Sequence, residues 1–567
     1  MNEFAPDKKE LDPSDPYARE RQTFPTLSDL HIECIKTFGT VEDLKKGDVL
    51  FERGEKTVDF FVILKGCIEI YEHRRDSETK VITIHREKQF TGELDLFNDR
   101  QILVGGRMGE DGTVIRLPRD QFKKMITAEP AISEIIIRAF ILRRVGLISH
   151  KQGSVTLITG KAGADSVRIE RFLRRNGYPV DVMDCNHDDC KDMIDKYNLD
   201  INKMPCVLIH LGERVICNPS NFELAEALGL VEDVDTEHVH DVAVVGAGPA
   251  GLSAAVYAAS EGLNTLILEA EAPGGQASTS SKIENFLGFP TGISGQALAG
   301  RAQVQAMKFG AKIALPHYVK KTTQKDGYFE LQLCNGSSVK AKGVIAASGA
   351  RYNDLPVENC SDFRNAGVYY AATAMEANIC LNEDVVIVGG GNSAGQAAVF
   401  LAGHAKHVYI VIRKSSLSSS MSQYLIDRIE SAKNITLLSH TEITEMHGDR
   451  HLEKVTLTNN KTETSEARNI RHVFLMLGAA PNSEWLGDMV ATDKKGFILT
   501  GIDVANQNDK TWSLDRSPML LETSKPGIFA AGDIRSGSTK RVASAVGDGG
   551  LSISNLHAYL SKLKKAD

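Results

Sequence analysis

The chain has 567 residues, 42% of them hydrophobic, and a formal net charge of −8. That length exceeds what one hydrophobic core organises, so three or four globular domains are expected. The acidic balance argues against a nucleic-acid binder, which needs a basic face toward phosphate, and no stretch approaches the roughly 18 uninterrupted apolar residues of a membrane span.

The N-terminal run MNEFAPDKKELDPSD has no apolar targeting core, so a cytoplasmic protein is expected. Residues 1–26 are rich in charge and proline and read as a loose leader. From Lys46 to Leu117, β-rich runs such as DFFVILKGCIEIYEH and KVITIHRE alternate with glycine-containing turns, the pattern of a small antiparallel barrel or jelly roll. ISEIIIRAFILRRVGLI (132–148) repeats apolar residues at helical spacing and predicts a connecting helix. SVTLITG (154–160) opens a strand–helix–strand–helix alternation up to about Leu230, the mark of a compact α/β domain.

The nine cysteines (34, 67, 185, 190, 206, 217, 334, 360 and 380) lack C-x-x-C spacing. They read as reduced thiols, and zinc ribbons are excluded. Cys185 and Cys190 in CNHDDC, with His187 between them, match no strong metal spacing, and Cys206 reads as a buried thiol at a strand end.

The texture changes at HDVAVVGAGPAGLSAAVYAAS. The apolar strand Val242–Val245 runs into Gly246, Gly248 and Gly251, a small-residue helix follows, and Glu269 closes the next strand. Glycines there allow a tight turn and close approach of main chain to a pyrophosphate, while the carboxylate accepts hydrogen bonds from a ribose. VVIVGGGNSAGQAAVFLAGHAKHVYIVIR repeats the design with Gly389, Gly391 and Ala394. Its second strand ends in Arg413 and Lys414 rather than an acid, which favours a 2′-phosphate and hence NADPH over NADH.

Further motifs, GGQAS (274–278), IENFLGFP (283–290), AASGA (346–350) and GIFAAGDI (527–534), follow in an order by which residues 238–567 resemble thioredoxin reductases. The resemblance implies FAD, held by the first glycine motif and Glu269. It places Gly275, Gln276 and Asn285 near the flavin, with Gly349 and Gly532 in the flanking motifs. It puts Asp533 on the ribityl chain, Arg541, Val542 and Ala543 against the isoalloxazine, and the protein in a homodimer. In that family a Cys-x-x-Cys and a following acid carry electrons away from the flavin; here Ala371 and Ala374 occupy the sulfur positions and Met375 the acid's. No thiolate forms at an alanine.

Residues 155–230 resemble a thioredoxin-like domain, with Met204-Pro205 at its cis-proline position and no cysteine in GKAGADSVRIE after the first strand. KKGDVLFERGE (45–55) and TGELDLFNDRQILV (91–104) resemble a cyclic-nucleotide-binding domain. There Gly92 and Glu93 would bind ribose-phosphate, but the position of the phosphate-binding arginine is Ile102. Arg100 is out of register, which argues for loss of nucleotide binding.

The expected architecture is therefore multidomain. A leader (1–26) precedes a cyclic-nucleotide-binding-like β-barrel or jelly roll (27–150) and a thioredoxin-like α/β domain (151–237). Two Rossmann-like three-layer domains follow, for FAD (238–356 and 479–567) and NAD(P)H (357–478). The expected activity is FAD-dependent NAD(P)H oxidation with a non-disulfide acceptor: oxygen, a quinone, a small molecule or a redox protein. Two alternatives stand beside it, a redox or ligand sensor or scaffold and an atypical disulfide reductase working through Cys206, Cys360 or Cys380.

Overall fold

The structure, a computed structural model, describes residues 16–563 except 74–78, 93–95, 97–101, 151–154, 160–163, 210–211, 213, 232–233, 281–282, 284–285, 365, 371, 373, 450 and 508–511. The chain divides into two compact units. One holds Met1–Thr159, Ile169–Gly349 and Pro481–Asp567, the other Gly160–Arg168 and Ala350–Ala480.

The first unit opens with two four-stranded antiparallel sheets. One orders Thr40–Leu44, Gly112–Leu117, Phe60–Lys65 and Phe90–Thr91; the other orders Val49–Phe51, Gly105–Met108, Ile68–His73 and Thr79–His85. Alternating side chains of these strands, with Phe122 and Phe140 from the helices that follow, fill the space between, and Phe60 lies 4.9 Å from the Phe122 ring. The predicted connecting helix spans Pro130–Ser149.

The leader departs from expectation over its described part. Pro16–Arg19 and Glu20–Thr23 form two successive helical turns, with Tyr17 and Thr23 buried. Tyr17 stacks on His150 at 4.8 Å, and Arg143 Nε donates to Thr23 O at 2.9 Å. One aromatic anchor and one buried guanidinium outweigh the polar composition that suggested a loose segment.

A four-stranded sheet follows in the order Val180–Asp184, Val155–Thr159, Cys206–Ile209, Arg214–Cys217, its first pair parallel and the rest antiparallel. The Met204–Pro205 peptide is cis. The reading of Cys206 as a reduced thiol is overturned: Cys206 and Cys217 form a disulfide, S–S 2.19 Å. Antiparallel pairing sets the two residues directly opposite each other, with Cα atoms 4.1 Å apart. Cys185 is half-buried and Cys190 buried. Among the described residues no group of three or more His, Cys, Asp or Glu is arranged to hold a metal.

The rest of the first unit is built on a mixed sheet in which Lys312–Ala314, Thr265–Leu268, Val239–Val245 and Ser338–Ala346 run parallel, Ile528–Ala530 joins Ser338–Ala346, and two antiparallel strands extend the other edge. Helices Pro249–Ser260 and Val542–Leu563 pack on each other, so closely that a Cβ at Gly549 would lie 2.3 Å from Ala250 O. The second unit has a five-stranded parallel sheet, ordered Val368–Tyr369, His472–Leu475, Asp384–Val388, His407–Val411, Ile435–Leu438, and a three-stranded antiparallel sheet over Thr441–Arg468. Strands buried on both faces explain the continuous apolar runs in the sequence. Among the described residues no helix is long and apolar enough to cross a membrane.

Candidate functional site

In the first unit, strands Val239–Val245, Thr265–Leu268, Ser338–Ala346 and Ile528–Ala530 end level with one another, Val245 opposite Leu268 and Ala346, and Ala346 opposite Ala530. Everything predicted for the flavin follows one of these carboxyl ends, where open α/β sheets place their ligands. Gly246 turns the chain at φ +102°, and any Cβ there would meet Ala347 O at 2.5 Å. At Gly251 a Cβ would fall 1.9 Å from Gly246 O, so the first turn of the helix sits directly on the turn before it. Gly248 caps that helix and is different: the nearest heavy atom to its missing Cβ is Gly275 Cα, 4.0 Å away. The helix start is thus open and lined by main chain, the form of an anion cradle.

Gly274 and Gly275 take φ of +105° and +54°, and Gly274 N donates to Ala247 O at 2.7 Å, which draws the GGQAS loop against the first glycine loop. Gln276 is exposed on the short 3-10 helix Gly275–Thr279, while Asn285 lies outside the described residues. Glu269 is buried. Its carboxylate accepts from Ala247 N at 2.6 Å, Glu271 N at 2.9 Å and Ala272 N at 3.3 Å. Burial raises its pKa, against the pull of these amides and of the Arg175 charge. The acid that the sequence assigns to a ribose therefore also ties two loops together.

Gly349 and Gly532 have φ of +67° and +77°, and Gly532 sits near enough that its Cβ would be 3.0 Å from Ala250 Cβ. Asp533 is half-buried, which raises its pKa, partly offset by Lys540; no described residue donates a hydrogen bond to it. An acceptor held at partial burial without a donor fits a ligand hydroxyl. Neighbouring Asp548, by contrast, is engaged by Gly532 N at 3.0 Å and Arg535 Nε at 3.2 Å. Val542 and Ala543 open the helix Val542–Leu563 directly after exposed Arg541. The chain thus brings together the first glycine loop, Glu269, Gly275 and Gly532, with Asp533 beside them, and the residues present fit FAD.

In the second unit the same construction recurs. Gly389 turns at φ +145° with a hypothetical Cβ 2.6 Å from Met476 O, Gly391 caps the helix Asn392–Leu401, and Ala394 in its first turn is buried. Arg413 and Lys414 follow the strand His407–Val411, both exposed and neither in an ion pair among the described residues. The serine-rich segment 415–422 after them folds back over the glycine turn: Ser420 Oγ donates to Gly390 O at 2.8 Å and Ser422 N to Asn392 Oδ1 at 2.7 Å. Serine-rich composition alone does not disclose that fold-back. The cradle fits a dinucleotide.

Ala374 begins the helix Ala374–Ile379, and Ala371 lies outside the described residues. Cys360 and Cys380 are buried in the second unit; burial raises both thiol pKa values, that of Cys380 to about 11, which disfavours thiolate chemistry at neutral pH. In the front sheets an apolar cavity is lined by Tyr17, Phe24, Ile70, His85, Ile102 and Arg143, among others. Ile102 is buried there, and Arg143 spends Nε and Nη1 on the carbonyls of Thr23 and Phe90. Glu93 and Arg100 lie outside the described residues.

The pyridine nucleotide-disulphide oxidoreductase family matches residues 240–549, and the cyclic nucleotide-binding domain family matches 41–129. A thioredoxin reductase of Listeria innocua is 30% identical over 58% of this chain and 97% of its own length. An NADH dehydrogenase of Bacillus subtilis is 32% identical over 56% of this chain and 58% of its own. The crystal structure of thioredoxin reductase from Streptococcus pyogenes aligns at 31% identity and TM-score 0.45, covering 57% of this chain and 99% of that one.

Proposed function

Because the chain belongs to the pyridine nucleotide-disulphide oxidoreductase family, we propose that this NAD(P)H-dependent flavin oxidoreductase of thioredoxin-reductase type delivers its electrons to an acceptor other than a disulfide. One observation carries the reading: alanine occupies positions 371 and 374, where the resemblance to thioredoxin reductases calls for the redox sulfurs, while the glycines of both nucleotide cradles are kept. When bound, FAD and NAD(P)H supply the two-electron chemistry, a hydride entering from the nicotinamide and the electrons leaving toward the acceptor.

The chain's part is binding and positioning. Amides at the starts of helices Pro249–Ser260 and Asn392–Leu401 would hold the two pyrophosphates. Glu269 and Asp533 would accept hydrogen bonds from sugar and ribityl hydroxyls, and the helix start at Val542 would stand on the side of the ring. Arg413 and Lys414 present uncommitted positive charge to a 2′-phosphate, so NADPH is the preferred donor. Acceptors of this class are oxygen, quinones, small molecules or a redox protein, and the flavin domains pair as a homodimer. In the front domain the cyclic-phosphate position is apolar at Ile102, so that domain does not bind a cyclic nucleotide.

The test is to purify the yellow protein, mix it anaerobically with NADPH or NADH, and follow flavin bleaching before offering acceptors. Rapid bleaching, fastest with NADPH, followed by turnover on oxygen, quinone or ferredoxin is expected. A colourless protein that takes up no FAD, or turnover confined to disulfide substrates, would overturn the proposal.

The Cys206–Cys217 disulfide favours a second reading, reduction of a disulfide substrate through this pair. Loss of disulfide-substrate turnover in C206A/C217A, with quinone or oxygen turnover kept, would select it; disulfide turnover equal to wild type excludes it.

A further inference from the structure

The flavin loop of the first unit is gripped from outside its own domain. Arg175, the last residue of the helix Ala164–Arg175, belongs to the thioredoxin-like segment, yet its side chain is only 12% exposed because it lies against the turn after Glu269. Nη1 reaches Glu271 Oε2 at 2.6 Å, and Nη2 donates to Gly275 O at 3.1 Å and, more weakly, to Ala272 O at 3.5 Å. Asn176, next in sequence and buried, donates from Nδ2 to Glu271 O at 3.0 Å, and Gln296 Nε2 donates back to Arg174 O at 2.9 Å.

The gripped loop is costly to order. Gly274 and Gly275 are both left-handed, a conformation with high entropy cost to fix, and the missing Cβ of Gly275 points to within 3.0 Å of Gly248 Cα. Besides Arg175, Gly275 O accepts Ser278 Oγ at 2.8 Å, a partner within the same loop that does not anchor it to anything else. The same guanidinium charge acts on buried Glu269, favouring its ionised form. A planar donor fork satisfies two carbonyls and one carboxylate at once, which an ammonium does not.

We propose that Arg175 is a positioning residue of the FAD site: by clamping Ala272–Gly275 beside Gly248 it makes flavin retention depend on the thioredoxin-like domain. This rests on the FAD reading above. The front domain is thereby wired to the cofactor through one side chain, and any event that displaces the end of its helix loosens the flavin.

The experiment titrates flavin-stripped full-length protein with FAD, following flavin fluorescence and the visible band of the bound form. Arg175→Ala should raise the FAD Kd about tenfold or more, the scale of a lost charge-assisted hydrogen bond. It should also shift the bound flavin's visible band, with the KM for NADPH unchanged. Arg175→Lys should recover part of the affinity, and Glu271→Ala, which removes a partner more than half exposed, should change Kd by less than about threefold. If Arg175→Ala does not fold by circular dichroism, the lysine variant decides: an FAD Kd and spectrum equal to wild type overturn the inference. So does an Arg175→Ala protein that melts earlier but binds FAD as wild type does. A wild-type chain that takes up no FAD sinks the flavin reading itself, a distinguishable failure.

Discussion

Replacing Glu269 by alanine tests whether this acid holds the flavin site together or only touches a ribose. Its carboxylate is the acceptor for two short amide bonds, from Ala247 at 2.6 Å and Glu271 at 2.9 Å, and a longer one from Ala272. The side chain is 9% exposed, so water does not readily replace it. Each buried donor left without a partner costs about 1–3 kcal/mol, so the two short bonds alone give about 2–6 kcal/mol of lost stability. Glu269→Gln keeps one acceptor but turns an amide donor toward backbone N–H groups, so an intermediate loss is expected. The assay is urea unfolding of the flavin-free protein read by tryptophan fluorescence, since buried Trp485 packs in the same domain as Glu269. A Glu269→Ala protein whose flavin-free unfolding midpoint matches wild type, with only FAD affinity reduced, would refute the structural role and leave the acid as a sugar ligand alone.

Other outcomes follow from the same geometry. Arg413→Ala/Lys414→Ala should lower kcat/KM for NADPH about tenfold at low salt while leaving NADH within about twofold, and the difference should shrink as salt screens the exposed charges; equal losses for both nucleotides would remove the 2′-phosphate assignment. Thiol titration of denatured, unreduced protein should find seven free cysteines and nine after reduction; nine in both would contradict the Cys206–Cys217 bond. Native alkylation at neutral pH should spare Cys380, whose thiol is buried with a pKa raised to about 11, and rapid labelling there would show that its pocket opens.

Local signals are legible in the amino-acid order and long-range ones are not. The two glycine motifs announce themselves because turn, helix start and strand are contiguous along the chain, so Gly246, Gly251 and Gly389 are assignable from their neighbours alone. Arg175 and Glu271 are 96 positions apart, and nothing local to either marks the pairing. The Cys206–Cys217 bond depends on the register of two strands, which spacing along the chain does not set. The leader misleads because composition averages over residues: Tyr17 is one aromatic among charges, yet it meets His150 from the far end of the domain. Glu269 is visible as the acid closing a strand, but its second task, joining Ala247 to the loop after it, emerges only where three amides converge.

Both cradles are drawn almost wholly in main chain, and main-chain amides are the same whatever side chains surround them. Saturation mutagenesis of this protein should therefore show a few glycine positions where nothing else survives, set among neighbours that accept wide exchange. Side chains around such a cradle can then be exchanged widely while the main-chain grip on an anion is kept.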